Sequence, residues 1–398
     1  MLPEHGPMSR TYNFVKQLNR MGHHAVGFGA SHPHNTNLQL IGGKEKFVKW
    51  KDCDTEWVYV KTCDYKGSKL KRIYAMFQFY FNTKQAVRQF GKPDAIIGSS
   101  APPTDMLLAI KLARKYKCKA ITEVRDLWPE SIVAYGILGA RNPIVWALRK
   151  FEKWAYTKAD ACIFTMEGGK DYIIEQGWDT VHGGPVDLNK VHHINNGVDL
   201  ELFDYNKEHY ITDDSDLDNP ETFKVVYTGS IRKVNNLGQL LDVAKLVKNP
   251  KVKFLIWGNG NELSLLQSHV QDEKIDNVVF KGQVEKKYIP YILSMADLNL
   301  AHNAQSKMFD YGISFNKMFD YLASGKFTLF DFYCKYNCMA NGGAGVQIKN
   351  PTPEKIADEI DKLSESDLSQ YKDNINNLIT EYDFSNLTKK LLDAIKGV

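Results

Sequence analysis

Short apolar runs separated by helix-like stretches recur along nearly the whole chain, and this alternation constrains the fold more than any single motif. A short apolar run between turn-forming residues is the mark of a strand buried on both faces, and helices between such strands make the sheet parallel. The runs His24–Ala30, Trp57–Thr62, Asp94–Ser99, Lys119–Val124 and Asp160–Thr165 form one set. Phe223–Tyr227, Lys253–Trp257, Val278–Phe280, Asp297–Ala301 and Thr328–Asp331 form a second. Asn206–Glu221, rich in Asp and containing Pro220, separates the sets and predicts a connection near a domain boundary. At 398 residues the chain exceeds what one hydrophobic core usually covers. Two doubly wound α/β domains are expected, with ligands bound beyond the carboxyl ends of their strands in the cleft between facing domains.

The stretch Tyr311–Lys326, YGISFNKMFDYLASGK, predicts a short amphipathic helix. Ser314 suits the N-cap, Phe315, Met318, Phe319 and Leu322 follow helical apolar spacing, and Gly325 stands where the helix would stop. Lys317 and Asp320 share its polar side. The first turn offers N–H groups to a pyrophosphate, and Asp320 can accept sugar hydroxyls. The plain alternative is a capped helix with a solvated polar face.

Two further turns fit an anion. Thr228-Gly229-Ser230 ends the first strand of the second set, Gly229 lets backbone approach a phosphate, and Arg232 and Lys233 add charge. Gly258-Asn259-Gly260 follows the next strand and predicts a second turn open to a ligand. In the first half, Glu123, Arg125 and Asp126 cluster at a strand end, where they either line the cleft or form a structural ion-pair network. The opening loop Pro3–Arg10 contributes Gly6 and Arg10, and His32 and His34 follow the first strand; loop histidines are more often surface residues than ligands. A strand followed by GxGxxG is missing from the start, which disfavours a dehydrogenase.

Charge is unevenly distributed. Residues 1–150 carry 24 Lys and Arg against 11 Asp and Glu, whereas the whole chain is only +4. Lys66–Arg88 interleaves Lys66, Lys69, Lys71, Arg72, Lys84 and Arg88 with Ile73, Tyr74, Met76, Phe77, Phe79, Tyr80 and Phe81, a pattern suited either to an anionic membrane surface or to a core helix with a solvated basic side. No nucleic-acid motif accompanies the charge. No stretch approaches the ~20 apolar residues of a membrane span, and the start lacks a signal-peptide core, so a cytoplasmic protein peripherally attached to the membrane is expected. The six cysteines are scattered and are expected to be reduced.

The segments PEHGPMSRTYNFVKQLNRMGHH, TEVRDLWPESIV, FEKWAYTKAD, HHINNGVDLELF, VVYTGSIRKVNNLGQLL, IWGNGNE and YGISFNKMFDYLASGK, in this order, resemble the retaining GT-B glycosyltransferases of the glycogen-synthase-like family 4. Within that family the likeness is to the bacterial capsule and O-antigen branch that includes N-acetyl-L-fucosamine transferases. The resemblance implies an acceptor-side Rossmann-like domain over 1–200, a nucleotide-sugar domain over 201–381, and a final helix over 382–398 crossing back to the first. It implies that Asp320 is the second acid of an E-x7-E pattern and binds the nucleotide ribose. The first acid falls on Gly312, leaving the N–H groups of Ile313 and Ser314 in its place. The phosphate-binding Arg and Lys of many relatives fall on Ser230 and Asn235, with Arg232 and Lys233 as substitutes. Arg125 stands where many relatives have histidine, and Phe315 and Phe327 where they have proline. Relatives also carry a strand ahead of the PEHG loop on which this sequence opens, so the first strand of the N-terminal sheet is expected to be absent, leaving its two neighbours unpartnered. A start placed too late, or a damaged family member, would each account for that.

The activity implied is transfer of an amino sugar or other sugar from a UDP-sugar to a lipid-linked oligosaccharide in capsule or O-antigen synthesis, with retention (EC 2.4 class). Arg125, Asp126 and Lys317 are the candidate catalytic residues; Gly229, Ser230, Arg232, Lys233, Gly258, Gly260, Ile313, Ser314 and Asp320 the donor-binding ones; Gly6, Arg10 and Glu123 the acceptor-side ones. No cofactor beyond the UDP-sugar substrate and no essential metal are expected, since Asp213-Asp214 and Asp216-Asp218 fall in the connection rather than at a strand end. A UDP-sugar epimerase of the same architecture and an inactive scaffold of a capsule-assembly complex are the alternatives.

Overall fold

Strand formation follows the apolar runs. A computed structural model describes residues 10–33 and 38–397, and the chain divides into two compact units, Met1–Asn195 with Phe384–Val398, and Asn196–Asp383. The first unit contains β1 (Val26–Ala30), β2 (Phe47–Lys51), β3 (Glu56–Val60), β4 (Ala95–Ser99), β5 (Lys119–Val124), β6 (Ala161–Phe164) and β7 (Val191–His193). The second contains β8 (Phe223–Thr228), β9 (Val252–Trp257), β10 (Val278–Gly282), β11 (Leu298–Ala301), β12 (Thr328–Phe330) and β13 (Gly345–Gln347). Three of these, β2, β7 and β13, lack a sequence signal. The β2 segment FVKWK is a half-exposed outer strand paired antiparallel to β3, and the other two are three-residue edge strands, too short to show periodicity.

The first unit carries its strands in two sheets, β1-β3-β2 and β4-β5-β6-β7. Among the described residues β1 pairs with β3 alone and β4 with β5 alone. Helices tie the sheets together. The Arg10–Arg20 helix sets Tyr12 and Val15 against Trp57 and Tyr59, and Phe14 and Leu18 against Ala95, Ile121 and Ile163. The Lys69–Ala86 helix packs Phe79 and Ala86 near Val58 and Val60, and Tyr80 near Leu108 and Ile96. The unpaired edges leave β4 half-exposed along most of its length, whereas β5 is buried over all but its first residue. The Phe384–Lys396 helix completes this unit by laying Phe384, Leu387 and Leu391 on Phe14, Ile121 and Ile163.

The second unit is one parallel sheet in the order β10-β9-β8-β11-β12-β13, with an apolar core on each face. Its chain order reverses between β8 and β11, which makes the carboxyl ends of those two strands a topological switch point. The polar segment Asn206–Glu221 lies within this unit, close after its first residue, Asn196. Lys281 at the end of β10 holds Asp214 at 2.6 Å and Asp216 at 2.5 Å, so the acidic stretch is clamped to the sheet. The two positions where proline was expected are filled by packed rings: Phe327 stacks on Tyr371 with centroids 4.3 Å apart, and Phe315 meets Phe309 and Phe332 edge-on.

Candidate nucleotide-binding site

At the switch point, β8 ends at Thr228 and the chain turns through Gly229-Ser230. A Cβ on Gly229 would lie 2.8 Å from the Tyr227 hydroxyl, so any side chain there would have to displace the end of that ring. Ser230 Oγ donates to Asn235 Oδ1 at 2.8 Å, closing the loop that carries Arg232 and Lys233. Both cations are exposed. Asn236 adopts φ 53° and opens the Leu237–Leu246 helix.

Gly258 and Gly260 bring a second turn against the first: a Cβ on Gly258 would meet Gly229 O at 1.8 Å, and one on Gly260 would meet Ile231 O at 1.9 Å. Ile231 N donates to Asn259 O at 2.9 Å, and Gly258 N to Gly282 O at 2.8 Å. Missing side chains let the turns after β8 and β9 lie backbone to backbone.

The helix of the YGISFNK stretch runs Asn316–Ala323, and its N-cap is Phe315. Ser314 is therefore not the capping residue. Its hydroxyl accepts from Asn196 N at 3.2 Å and its carbonyl from Asn196 Nδ2 at 2.7 Å, which fixes the approach to the helix. Ile313 is buried, and Gly312 has φ 106°, a region that favours glycine. The apolar side of the helix buries Met318, Phe319, Tyr321 and Leu322. Tyr321 OH accepts from Thr228 N at 3.0 Å, docking the helix on the end of β8.

Lys317 and Asp320 are both half-buried but meet different neighbours. Lys317 Nζ donates to the His302 carbonyl at 3.2 Å and lies 4.6 Å from the centroid of the Tyr227 ring. Burial pushes its pKa down to about 8, against the pull of Asp331. Burial raises the Asp320 carboxyl, and Lys286, in the turn after β10, opposes that rise. A cation and a carboxylate are thus presented one helical turn apart beside the Gly229 turn, the arrangement a nucleoside diphosphate needs at its phosphate and ribose ends.

In the first unit, Arg10 and Glu123 are buried against each other. Arg10 Nε lies 2.7 Å from Glu123 Oε1, Nη2 donates to Ile194 O at 2.7 Å, and Nη1 donates to Asn195 O. Burial lowers the guanidinium pKa, with Glu123 opposing. For Glu123 burial acts to raise the pKa, but Arg10 and then Arg125, helped by Ser99, outweigh it and hold the carboxyl low. This geometry is a structural ion pair joining the start of the Arg10–Arg20 helix to the ends of β5 and β7, not a pair of groups open to an acceptor. Arg125 is half-buried, with its N–H donating to Ser100 Oγ at 3.1 Å and its carbonyl accepting from Thr165 Oγ1 at 3.2 Å. Asp126 is exposed, and desolvation raises its carboxyl against the influence of Arg125. Gly6 and His34 lie outside the described residues; His32 is buried and its Nδ1 meets Leu38 O at 2.9 Å.

Sequence reasoning missed His302 and Asp331, which follow β11 and β12 directly. Each is the polar residue that directly follows a buried strand, LNLA before His302 and TLF before Asp331, and that position was the available signal.

The Glycosyltransferase Family 4 model matches residues 6–202, and the Glycosyl transferases group 1 model matches residues 212–309. A Bacillus subtilis (strain 168) protein named as a teichuronic acid biosynthesis glycosyltransferase, TuaH, is 25% identical over 208 residues, 52% of this chain and 49% of that protein. The chain thus spans about half the length of this curated relative. Among solved structures, the Escherichia coli trehalose-6-phosphate protein bound with UDP-2-fluoro glucose aligns with a TM-score of 0.71 at 10% identity, over 99% of this chain and 97% of that one. Anabaena HepE in complex with UDP aligns with a TM-score of 0.58 at 13% identity, over 86% of each chain. These likenesses establish the GT-B fold, and the two matched regions support a GT-B glycosyltransferase of family 4.

Proposed function

We propose that this protein transfers a sugar, an amino sugar in the branch it resembles, from a UDP-sugar to a lipid-linked oligosaccharide during synthesis of a capsule, O-antigen or related cell-surface polysaccharide, with the anomeric configuration retained. The observation that carries the reading is the placing of Lys317, Asp320 and the Gly229 turn at the switch point of a six-stranded parallel sheet. UDP complexes of HepE and the teichuronic acid assignment of TuaH support it.

As the glycosidic bond lengthens, negative charge gathers on the departing diphosphate, and groups aimed at that charge accelerate the step. Lys317 supplies a cation from a partly desolvated position, where a charge-assisted hydrogen bond contributes roughly 1.5–3 kcal/mol. Backbone N–H groups of the Gly229 turn and the exposed Arg232 and Lys233 add to it. Asp320 takes the ribose hydroxyls. Arg125 and Asp126 serve the acceptor side.

The lipid-linked acceptor fits the surface of the first unit. Leu70, Ile73, Tyr74, Phe77 and Phe81 form a stripe along the Lys69–Ala86 helix, each between 51% and 79% exposed, and Lys66, Lys69, Lys71 and Arg72 are exposed beside it. Apolar rings flanked by cations suit an anionic bilayer surface. Among the described residues no helix is long and apolar enough to cross a membrane.

Incubation with a panel of UDP-amino sugars and a membrane lipid extract, followed by mass analysis of the lipids, tests the reading. A glycan-mass increase on lipid supports it; donor interconversion without acceptor supports the epimerase instead. One feature favours the inactive-scaffold reading, Gly312 in the usual place of an acid. Absence of any UDP-sugar binding, with co-purification of other polysaccharide enzymes, would establish it.

A further inference from the structure

His302 and Asp331 lie fully inside the second unit, at 0% and 3% exposure, and neither has a part in the donor contacts just described. Their strands are neighbours, Ala301 pairing with Phe330, so the residues that follow emerge side by side. His302 Nδ1 bonds Asp331 Oδ2, and its Nε2 bonds Asn236 O at 3.0 Å. The Asn236 carbonyl can only accept, so the ring donates there through Nε2, and Nδ1 is left for the Asp331 carboxyl. The His302 carbonyl in turn accepts from Lys317 Nζ, and Asp331 is the charge that attracts Lys317. Asn236 closes the loop that begins at Gly229, and Asn235 beside it receives Ser230. One buried residue therefore joins the end of the phosphate loop, the end of β12 and the lysine.

We infer that His302, oriented by Asp331, is a positioning residue for the donor diphosphate: it holds the Gly229–Asn236 loop and Lys317 at a fixed separation before the nucleotide arrives. The inference rests on the proposed donor site. A site that is already in place avoids the cost of ordering a loop on binding, so loosening the junction weakens the nucleotide without removing any group that touches it. Glutamine can reach Asn236 O with its amide N–H and restore the loop contact; alanine cannot.

The test uses full-length parent protein, His302→Ala, His302→Gln and Asp331→Asn, with UDP as the probe in calorimetry and with amide hydrogen exchange on the nucleotide-free proteins. Circular dichroism establishes that each variant is folded. The expected result is a UDP dissociation constant raised about tenfold in His302→Ala and in Asp331→Asn, with His302→Gln recovering most of the loss. Amides of Ser230–Asn236 should exchange faster in His302→Ala and near the parent rate in His302→Gln. Parent-like UDP affinity in His302→Ala overturns the inference, as does equal weakening in the alanine and glutamine variants. If the parent binds no UDP, the donor reading fails, and the exchange measurement still judges the junction: unchanged rates in His302→Ala overturn it.

Discussion

The Lys317 ammonium lies 4.6 Å from the centre of the Tyr227 ring, so the helix that carries the lysine and the strand that leads into the Gly229 turn meet through a cation on an aromatic face. That contact keeps the charge beside the turn, and it is the burial of the ammonium, not the ring, that makes its proton more weakly held than that of an ordinary lysine.

A pH dependence of donor binding follows. Burial sets the Lys317 pKa at about 8, so the ammonium is present below that pH and is lost as pH rises through it. UDP affinity should fall by about fivefold between pH 8 and pH 9 and approach the limiting slope of about tenfold per pH unit above that, as one binding proton is lost. Arginine keeps its charge throughout, so Lys317→Arg should bind with a flat profile over this range. Calorimetry at several pH values decides it, and a flat profile in the parent would remove Lys317 from the donor contacts.

Asp320→Ala should weaken UDP-sugar binding by about one to two factors of ten, equivalent to ~1.4–2.8 kcal/mol. Asp320→Asn, which keeps an acceptor oxygen, should lose less. Equal affinities in all three proteins, measured by calorimetry on folded samples, would contradict the ribose assignment.

Glu152 gives a stability prediction. It is buried and accepts from Tyr172 Oη at 2.6 Å and from Tyr156 Oη, and burial raises its pKa from 4.5 to about 8. The folded protein therefore holds this proton more tightly than the unfolded chain does. Its stabilisation is complete below about pH 4.5 and is lost as pH rises through about 8. Glu152→Gln, neutral at every pH, should gain on the parent as pH increases, with the difference in Tm moving by about 3 °C or more between pH 5 and pH 8.5. Parallel melting curves at the two pH values would show that the carboxyl ionises without penalty.

The aromatic stripe predicts vesicle binding. Phe77→Ser with Phe81→Ser should lower partitioning onto phosphatidylserine-containing vesicles by more than tenfold, since burying each ring is worth about 1.5–3 kcal/mol. Raising the salt concentration should weaken the parent as well, because each nearby cation contributes about 1 kcal/mol through the surface potential. Co-sedimentation reads both effects, and equal recovery of parent and variant with the vesicles would place the contact elsewhere.

Buried parallel strands are legible in a sequence because each needs an uninterrupted apolar run, and the runs at Phe223 and Lys253 lead to the turns that matter. The Asn316–Ala323 helix was legible too, but its start was not: Asn196 takes up Ser314, and that partner is 118 positions away. His302 and Asp331 are 29 positions apart, and sheet order alone makes them neighbours. Gly258 and Gly260 show the same limit. A glycine in a turn announces that something comes close, and whether it is a ligand or another loop depends on what stands opposite.

Among the described residues, the unpaired edges of β1 and β4 divide the first unit in a way its helices only partly repair. A continuous ladder of backbone hydrogen bonds makes a sheet open as one piece, and here the ladder is interrupted. The β1-β3-β2 sheet can loosen while β5 and β6 stay intact, because what joins them is side-chain contact with the Arg10–Arg20 and Lys69–Ala86 helices. The helix with the aromatic stripe is one of those two ties. A surface that grips that helix would therefore also brace the seam, so attachment to a bilayer should raise the melting temperature of the very lobe that touches it.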